Sequence, residues 1–221
     1  MVNYFRNLLE ELVIRFQKVP EEFVREAHVR PLPFFAQDPI EELKTNPESK
    51  ELYEKYFSDK TSFEKIIDSA CGMYCLKMIL KFVKDLTPST VELAKECMDS
   101  GGYVIEENGR LSGMVYKPFK EFIKSKFNLD SEVCSFLSIT RIKYEISHRN
   151  FVIASVHWDI KDSKNSPKFK GGHLVVITGY DLESLYLNNP GGYENSSQMN
   201  YRISFADFKK FFASRGIVIL N

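Results

Sequence analysis

The chain changes its hydrophobic period part-way along, and this change limits the folds open to it more than any other feature. Up to about residue 130, apolar side chains recur at helical spacing, as Leu76, Ile79, Leu80 and Val83 do. After residue 150 the chain consists of short β-branched runs bounded by Gly, Asn, Asp and Pro. Helices followed by strands predict an α+β fold with a helical half and an antiparallel β-sheet half.

Three helices are predicted in the first half. The first covers 71–85, with Lys77, Lys81 and Lys84 outside its apolar face. A second is expected over about 88–99, with Thr87 as N-cap. A third is expected within "YKPFKEFIKSKFNLD".

Strands and one late helix are predicted in the second half of the chain. Strands are expected in "NFVIASVHWDI", "GHLVVITGYD" and "SLYLNNP", a helix in "SFADFKKFFASR" with Ser204 as its cap, and a closing buried strand in "GIVIL".

The N-terminal part differs from the rest of the chain in its charge and proline content. Residues 1–60 are charged and helical in pattern, and Pro31, Pro33, Pro39 and Pro47 rule out a long helix there. The sequence therefore predicts a helical N-terminal extension (1–60) that wraps a core domain (61–221).

The charge balance argues against polyanionic partners. Lys plus Arg and Asp plus Glu each number 30, so the formal net charge is zero and no global field draws the protein to nucleic acid or anionic lipid. The first 23 residues carry charges through their apolar stretch, unlike a secretory signal, and no run is long enough for a membrane span. A cytoplasmic protein that binds neither nucleic acid nor membrane is expected.

The four cysteines, Cys71, Cys75, Cys97 and Cys134, are predicted to be thiols. A cytosolic chain of this size rarely uses a disulfide framework. Their spacing lacks a zinc pattern, so neither a metal nor a cofactor is expected.

Cys71 has the setting of a nucleophile. It begins a predicted helix, where unpaired amides and the macrodipole favour a thiolate, and Gly72 after it allows close approach of a substrate. Cys75, one turn further, is predicted to be a packing residue. A thiol nucleophile needs a base and an orienting group. A hairpin of the strands in "GGHLVVITGYD" and "LYLNNPGG" would bring His173 and Asn189 side by side for those roles.

These segments resemble a known family. "CGMYCLKMIL" and "GGHLVVITGYD...LYLNNPGG" are similar to motifs of the papain-clan cysteine peptidases that cut bacteriocin leaders after a double glycine, and of their stand-alone relatives. The resemblance runs from about residue 66 to the C-terminus. It implies a papain-like fold with Cys71 as nucleophile, His173 as base and Asn189 as orienting residue.

The chain departs from the family pattern at two positions. Asn189 stands where the family usually has Asp, but papain itself uses Asn. Lys65 stands where the family places an oxyanion-hole Gln, and the loss of one such donor typically costs about 10²- to 10³-fold in turnover. Lys65, Ser69 or Gln37 could substitute as donors.

Three further residues are candidates for lining the substrate site. They are Gly72, His157 and Trp158.

Two acyl-transfer reactions fit these residues, each through a thioester on Cys71. One passes the acyl group to a small amine, forming an amide in a biosynthetic pathway, with a carrier-protein thioester as the donor. Because the oxyanion Gln is missing and a thioester opens more easily than an amide, the sequence slightly favours this acyltransferase. The alternative is a peptidase or amidase that hydrolyses a peptide or leader. A third hypothesis is a catalytically silent module that binds peptides.

Overall fold

A computed structural model of the protein describes residues 30–57 and 61–221, together with Leu9 and Leu12. The chain divides into two compact units: a helical unit, Leu32–Asn128, and a sheet unit, which contains Leu129–Asn221 and, before them, Arg30 and Pro31. Most of the predicted N-terminal extension, and its boundary at residue 60, lie outside the described residues. That boundary stays a prediction.

Six helices are described in the helical unit. They are α1 (Pro39–Thr45), α2 (Ser49–Tyr56), α3 (Phe63–Ser69), α4 (Cys71–Lys84), α5 (Thr90–Asp99) and α6 (Tyr116–Phe127).

The boundaries of these helices follow from local chemistry. The predicted helix over 71–85 is confirmed as α4. Helix α5 starts later than predicted, because the Ser89 hydroxyl, not Thr87, accepts hydrogen bonds from the first-turn amides of Val91 and Glu92. Helix α6 ends where Asn128 adopts a left-handed φ of 51°.

Lys77 lies in the core of the helical unit, so the expectation that it faces away from the apolar side is wrong. Its side chain is fully buried, and its ammonium donates to Glu42 Oε2 (2.9 Å) and Asn46 Oδ1 (2.5 Å). The same Glu42 carboxylate accepts from the hydroxyls of Ser49 (2.8 Å) and Tyr74 (3.1 Å). Helix α1 thus supplies the partner that lets α4 bury a lysine, because a buried charge needs a paired and hydrogen-bonded partner.

The sheet unit contains a six-stranded antiparallel sheet in the order β1-β6-β2-β3-β4-β5. Its elements in chain order are β1 (Ser131–Cys134), α7 (Ile139–Ser147), β2 (Phe151–Val156), a 3₁₀ turn (Trp158–Lys161), β3 (His173–Tyr180), β4 (Ser184–Asn188), β5 (Tyr201–Ser204), α8 (Phe205–Phe211) and β6 (Phe212–Ile219).

The helices and the antiparallel sheet confirm the predicted α+β class. Strands β3 and β4 match their predictions, whereas β2 ends at Val156, earlier than predicted, because the His157 side chain caps a 3₁₀ turn that starts at Trp158. Every residue of β2 and β3 is buried. The late helix is shorter than predicted, because the chain enters β6 at Phe212, which pairs with Val156. Three further elements, β1, α7 and β5, were not predicted from the sequence.

Across 30–57 and 61–221, no helix has the length and apolarity that crossing a bilayer requires.

Candidate active site

His173 and Asn189 form a buried pair on the β3–β4 hairpin of the sheet unit. His173 is the first residue of β3 and Asn189 directly follows β4, so antiparallel pairing brings the two positions together. His173 Nε2 lies 2.7 Å from Asn189 Oδ1, and both residues are buried. The juxtaposition expected from the hairpin is therefore present.

The backbone fixes the orientation of the Asn189 amide. The Gly191 N–H donates to Asn189 Oδ1 at 3.2 Å, so this atom is the oxygen and the Nε2–H of His173 donates to it. The imidazole then carries its proton on Nε2 and presents an unprotonated Nδ1. That tautomer is the one a general base requires.

The surroundings of His173 keep its imidazole neutral. Burial lowers the pKa of His173 to about 4, the Asn189 hydrogen bond opposes this shift, and the nearby Lys161 and His157 add to it. A neutral imidazole at physiological pH is ready to accept a proton.

Trp158 covers one edge of this imidazole. Its indole lies edge-on to the His173 ring, with centroids 4.6 Å apart. Lys161 Nζ lies 4.9 Å from the Trp158 ring centroid and 5.0 Å from that of Tyr193. Gly191 leaves the space for the indole, since a Cβ there would lie 2.3 Å from Trp158 Cη2. The sequence proposed Trp158 as site lining but gave no signal for Lys161 or Tyr193.

His157 is occupied by local contacts. Its Nδ1 accepts a hydrogen bond from the Asp159 N–H (3.1 Å) and caps the 3₁₀ turn. Its ring packs edge-on against Phe169, with centroids 4.6 Å apart. These contacts fix the start of the turn that carries Trp158.

Cys71 is the first residue of α4, as predicted. Of the four cysteines it alone is not buried, and the first turn of a 14-residue helix favours a thiolate. Cys75, by contrast, is fully buried, and its pKa is raised well above the usual value by burial first and by nearness to Cys71 second. The two thiols therefore differ in the way expected for a nucleophile and a packing residue.

Lys65 and Ser69 both contact the segment that follows α5. Lys65 Nζ donates to the Asn108 carbonyl oxygen at 2.8 Å. The Ser69 hydroxyl donates to the Lys65 carbonyl and accepts from the Leu111 N–H at 3.0 Å. Both side chains thus tie the 104–112 segment to α3.

Gln37 is a partly exposed residue whose side-chain amide is buried. Its Oε1 and Nε2 are both inaccessible to solvent, and neither hydrogen-bonds to any residue that the structure describes. Burial raises the pKa of Asp68 and of Tyr74, and the charge of Asp38, the residue after Gln37, raises both further. Those two residues lie three positions before and after Cys71.

No metal site accompanies these residues. Over 30–57 and 61–221, no group of three or more His, Cys, Asp or Glu side chains is arranged to hold an ion.

Comparison with known proteins identifies a family model that matches residues 34–218, that of the Peptidase_C39-like family. No curated protein matches the chain. A solved structure from Bacillus anthracis, assigned as a C39-like peptidase, is similar to this chain with a TM-score of 0.57 and 15% identity, over 89% of this chain and 98% of the other.

A second solved structure is a double-glycine-motif protease from an AMS/PCAT transporter, in complex with a leader peptide. It has a TM-score of 0.40 and 14% identity, over 68% of this chain and 84% of the other.

Proposed function

Because the chain belongs to the C39-like cysteine peptidase family, we propose that it hydrolyses an acyl bond of a peptide through a thioester on Cys71. The observation that carries this proposal is the buried 2.7 Å hydrogen bond from His173 to Asn189. It fixes the imidazole in the tautomer that a thiol nucleophile needs.

In the first half-reaction, the Cys71 sulfur attacks the carbonyl carbon while His173 Nδ1 accepts the thiol proton. The carbon–nitrogen bond of the resulting tetrahedral intermediate then breaks. His173 returns the proton to the departing amine, and the acyl group stays on Cys71 as a thioester.

In the second half-reaction, water attacks the thioester carbonyl and His173 accepts a proton from it. The carbon–sulfur bond breaks, the acid leaves, and the proton returns to the Cys71 sulfur. Asn189 keeps the imidazole in one orientation through both steps.

Gln37 is the side chain we propose for the oxyanion donor. Its amide is buried and has no partner among the residues that the structure describes, as expected of a donor reserved for a transient oxyanion. Lys65 and Ser69 are less suited, because their polar atoms already bond to Asn108, Leu111 and each other.

The test is direct trapping at Cys71. Wild-type protein is incubated with a peptide library and with acyl thioesters, and both the intact protein and the products are weighed. An acyl adduct of the wild type that is absent from Cys71→Ala, and that forms far more slowly in His173→Ala because both half-reactions need the base, supports the mechanism. Iodoacetamide labelling of Cys71 no faster than a model thiol at neutral pH would contradict it.

Transfer of the acyl group to an amine is the second candidate. Position 65 does not supply the usual Gln, which favours a donor more easily opened than an amide. Supplying an acyl thioester with and without a diamine separates the two reactions. Acid as the sole product in both cases excludes transfer, whereas a new amide excludes simple hydrolysis.

A further inference from the structure

Tyr103 carries a buried hydroxyl whose proton has no acceptor among the described residues. The residue is 2% exposed, and its Oη is shielded from solvent. An unpaired buried hydroxyl typically costs about 1–3 kcal/mol of stability. Such a group is common at sites where a partner forms only during the reaction.

The hydroxyl lies beside the first turn of α4. Burial raises the pKa of Tyr103 well above its usual value, and the nearby Cys71, Cys97 and Cys75 raise it further, while the Gly72 backbone N–H opposes the shift. Because the pKa is raised, the phenol stays protonated across the working pH range. It is therefore a hydrogen-bond donor next to Cys71.

Backbone bonds on both sides hold Tyr103 in place. The Gly102 N–H donates to the Cys97 carbonyl (2.7 Å), and the Gly102 carbonyl accepts from the Val115 N–H (2.9 Å). On the other side, the Val104 N–H donates to Ser112 Oγ (2.9 Å). Gly102 itself has no room for a side chain, since a Cβ would lie 2.3 Å from Cys97 Sγ.

The segment after Tyr103 is also fixed to the helix that precedes Cys71. The Leu111 N–H donates to Ser69 Oγ (3.0 Å), and Lys65 donates to the Asn108 carbonyl (2.8 Å). These bonds give Lys65 and Ser69 a role in holding the 104–112 segment. They also keep Tyr103 in a fixed position relative to the start of α4.

We propose that Tyr103 donates a hydrogen bond from its hydroxyl to the thiolate of Cys71, a role that rests on Cys71 being the nucleophile. The bond forms when the thiol loses its proton to His173, and it stabilises the thiolate against the thiol. No covalent bond changes at Tyr103. Tyr103 thereby lowers the pKa of Cys71 and holds the attacking sulfur in a fixed position.

The test compares Tyr103→Phe with Tyr74→Phe. Tyr74 is a matched control, because it is also a buried tyrosine of the helical unit but its hydroxyl already donates to Glu42 (3.1 Å). The rate of iodoacetamide alkylation of Cys71 is measured from pH 4 to pH 10 for each protein, together with its unfolding by urea.

We expect Tyr103→Phe to raise the pKa of Cys71 by about one unit. Alkylation well below that pKa then slows about tenfold, while the rate at pH 10 is unchanged. Because the hydroxyl proton has no acceptor among the described residues, the stability of this variant is expected to be unchanged or greater. Tyr74→Phe is expected to lower stability without moving the pKa of Cys71.

The possible outcomes distinguish the proposed role of Tyr103 from the proposed role of Cys71 as nucleophile. A wild-type Cys71 with a low pKa that Tyr103→Phe leaves unchanged overturns the role of Tyr103 alone. A loss of stability in Tyr103→Phe with no change in the pKa of Cys71 also overturns it, since the hydroxyl would then be structural. A wild-type Cys71 that titrates like a model thiol overturns the nucleophile itself.

Discussion

The indole of Trp158 packs edge-on against the imidazole of His173, with ring centroids 4.6 Å apart. The contact covers part of the buried imidazole, and it depends on the position of the indole. Gly191 is what leaves room for that position, because a Cβ there would lie within 2.3 Å of the ring. Trp158 is also the only tryptophan of the chain, so its fluorescence reports on this one contact.

Gly191→Ala is expected to displace Trp158. The new methyl group overlaps the indole, and movement of the ring away from His173 should lower kcat/KM on the order of 10- to 100-fold, as misplacement near reacting groups does. The measurement is the emission maximum and acrylamide quenching of Trp158, alongside activity. Gly113→Ala is the control, since nothing lies within 4 Å of a Cβ there. Unchanged Trp158 emission in Gly191→Ala would refute the prediction.

Asn189→Asp is expected to raise the pKa of His173. The substitution replaces Asn189 Nδ2, which has no partner in the described part of the chain, with a charged acceptor, which stabilises the imidazolium and raises its pKa by about one to three units. Titration of the His173 ring by NMR measures the effect. Asn189→Ala serves as the comparison and should not raise the pKa by this amount, because it adds no charge. A pKa in Asn189→Asp that stays at about 4 would contradict the prediction.

Because of His173, the free energy of unfolding should decrease as the pH is lowered below neutrality. Its pKa is about 4 in the folded protein and about 6.5 when unfolded, so the unfolded chain binds more protons between these values. The contribution is complete above pH 6.5 and is lost progressively toward pH 4. Between pH 8 and pH 5, the free energy of unfolding should drop by about 2 kcal/mol from this residue.

Urea unfolding at the two pH values measures this drop. His173→Gln should show a drop smaller by about 2 kcal/mol, whereas His148→Gln, which changes an exposed histidine, should behave like the wild type. Equal pH dependence in all three proteins would show that His173 is not buried as a neutral base.

The hairpin that joins His173 to Asn189 could be predicted from the sequence because its signals are local. Two β-branched runs flank the turn between Tyr180 and Ser184, and antiparallel pairing of such runs leaves little freedom in where their ends lie. The start of α4 at Cys71 was predictable for the same reason, since helical periodicity begins there.

Other features depend on contacts between distant parts of the chain. The local helical pattern predicts Lys77 on the polar face, because no periodicity links it to its partner Glu42, which lies 35 positions earlier. Phe211 and Phe212 continue a helical pattern, yet the second of them pairs with Val156 in the sheet. In both cases tertiary packing overrides the structure that the local sequence pattern predicts.

Lys77→Met is expected to destabilise the protein by about 3–5 kcal/mol, because it leaves the buried carboxylate of Glu42 without its cation. Burial alone would raise the pKa of Glu42, but Lys77 and the hydrogen bonds from Thr90 hold it below its usual value. Lys81→Met is the control on the same helix. The Lys81 side chain is 40% exposed and pairs with Asp85 at the surface, where such pairs contribute about 0–1 kcal/mol.

Unfolding by urea distinguishes the two lysines, and the double variant Lys77→Met/Glu42→Gln tests the cause. Removing both charges should recover part of the loss, since the variant no longer buries an unpaired ion. A double variant that loses at least the sum of the two single losses would mean that packing around Lys77, and not its charge, stabilises the core. Recovery would instead show that the Glu42–Lys77 ion pair links α1 to the helix that carries Cys71.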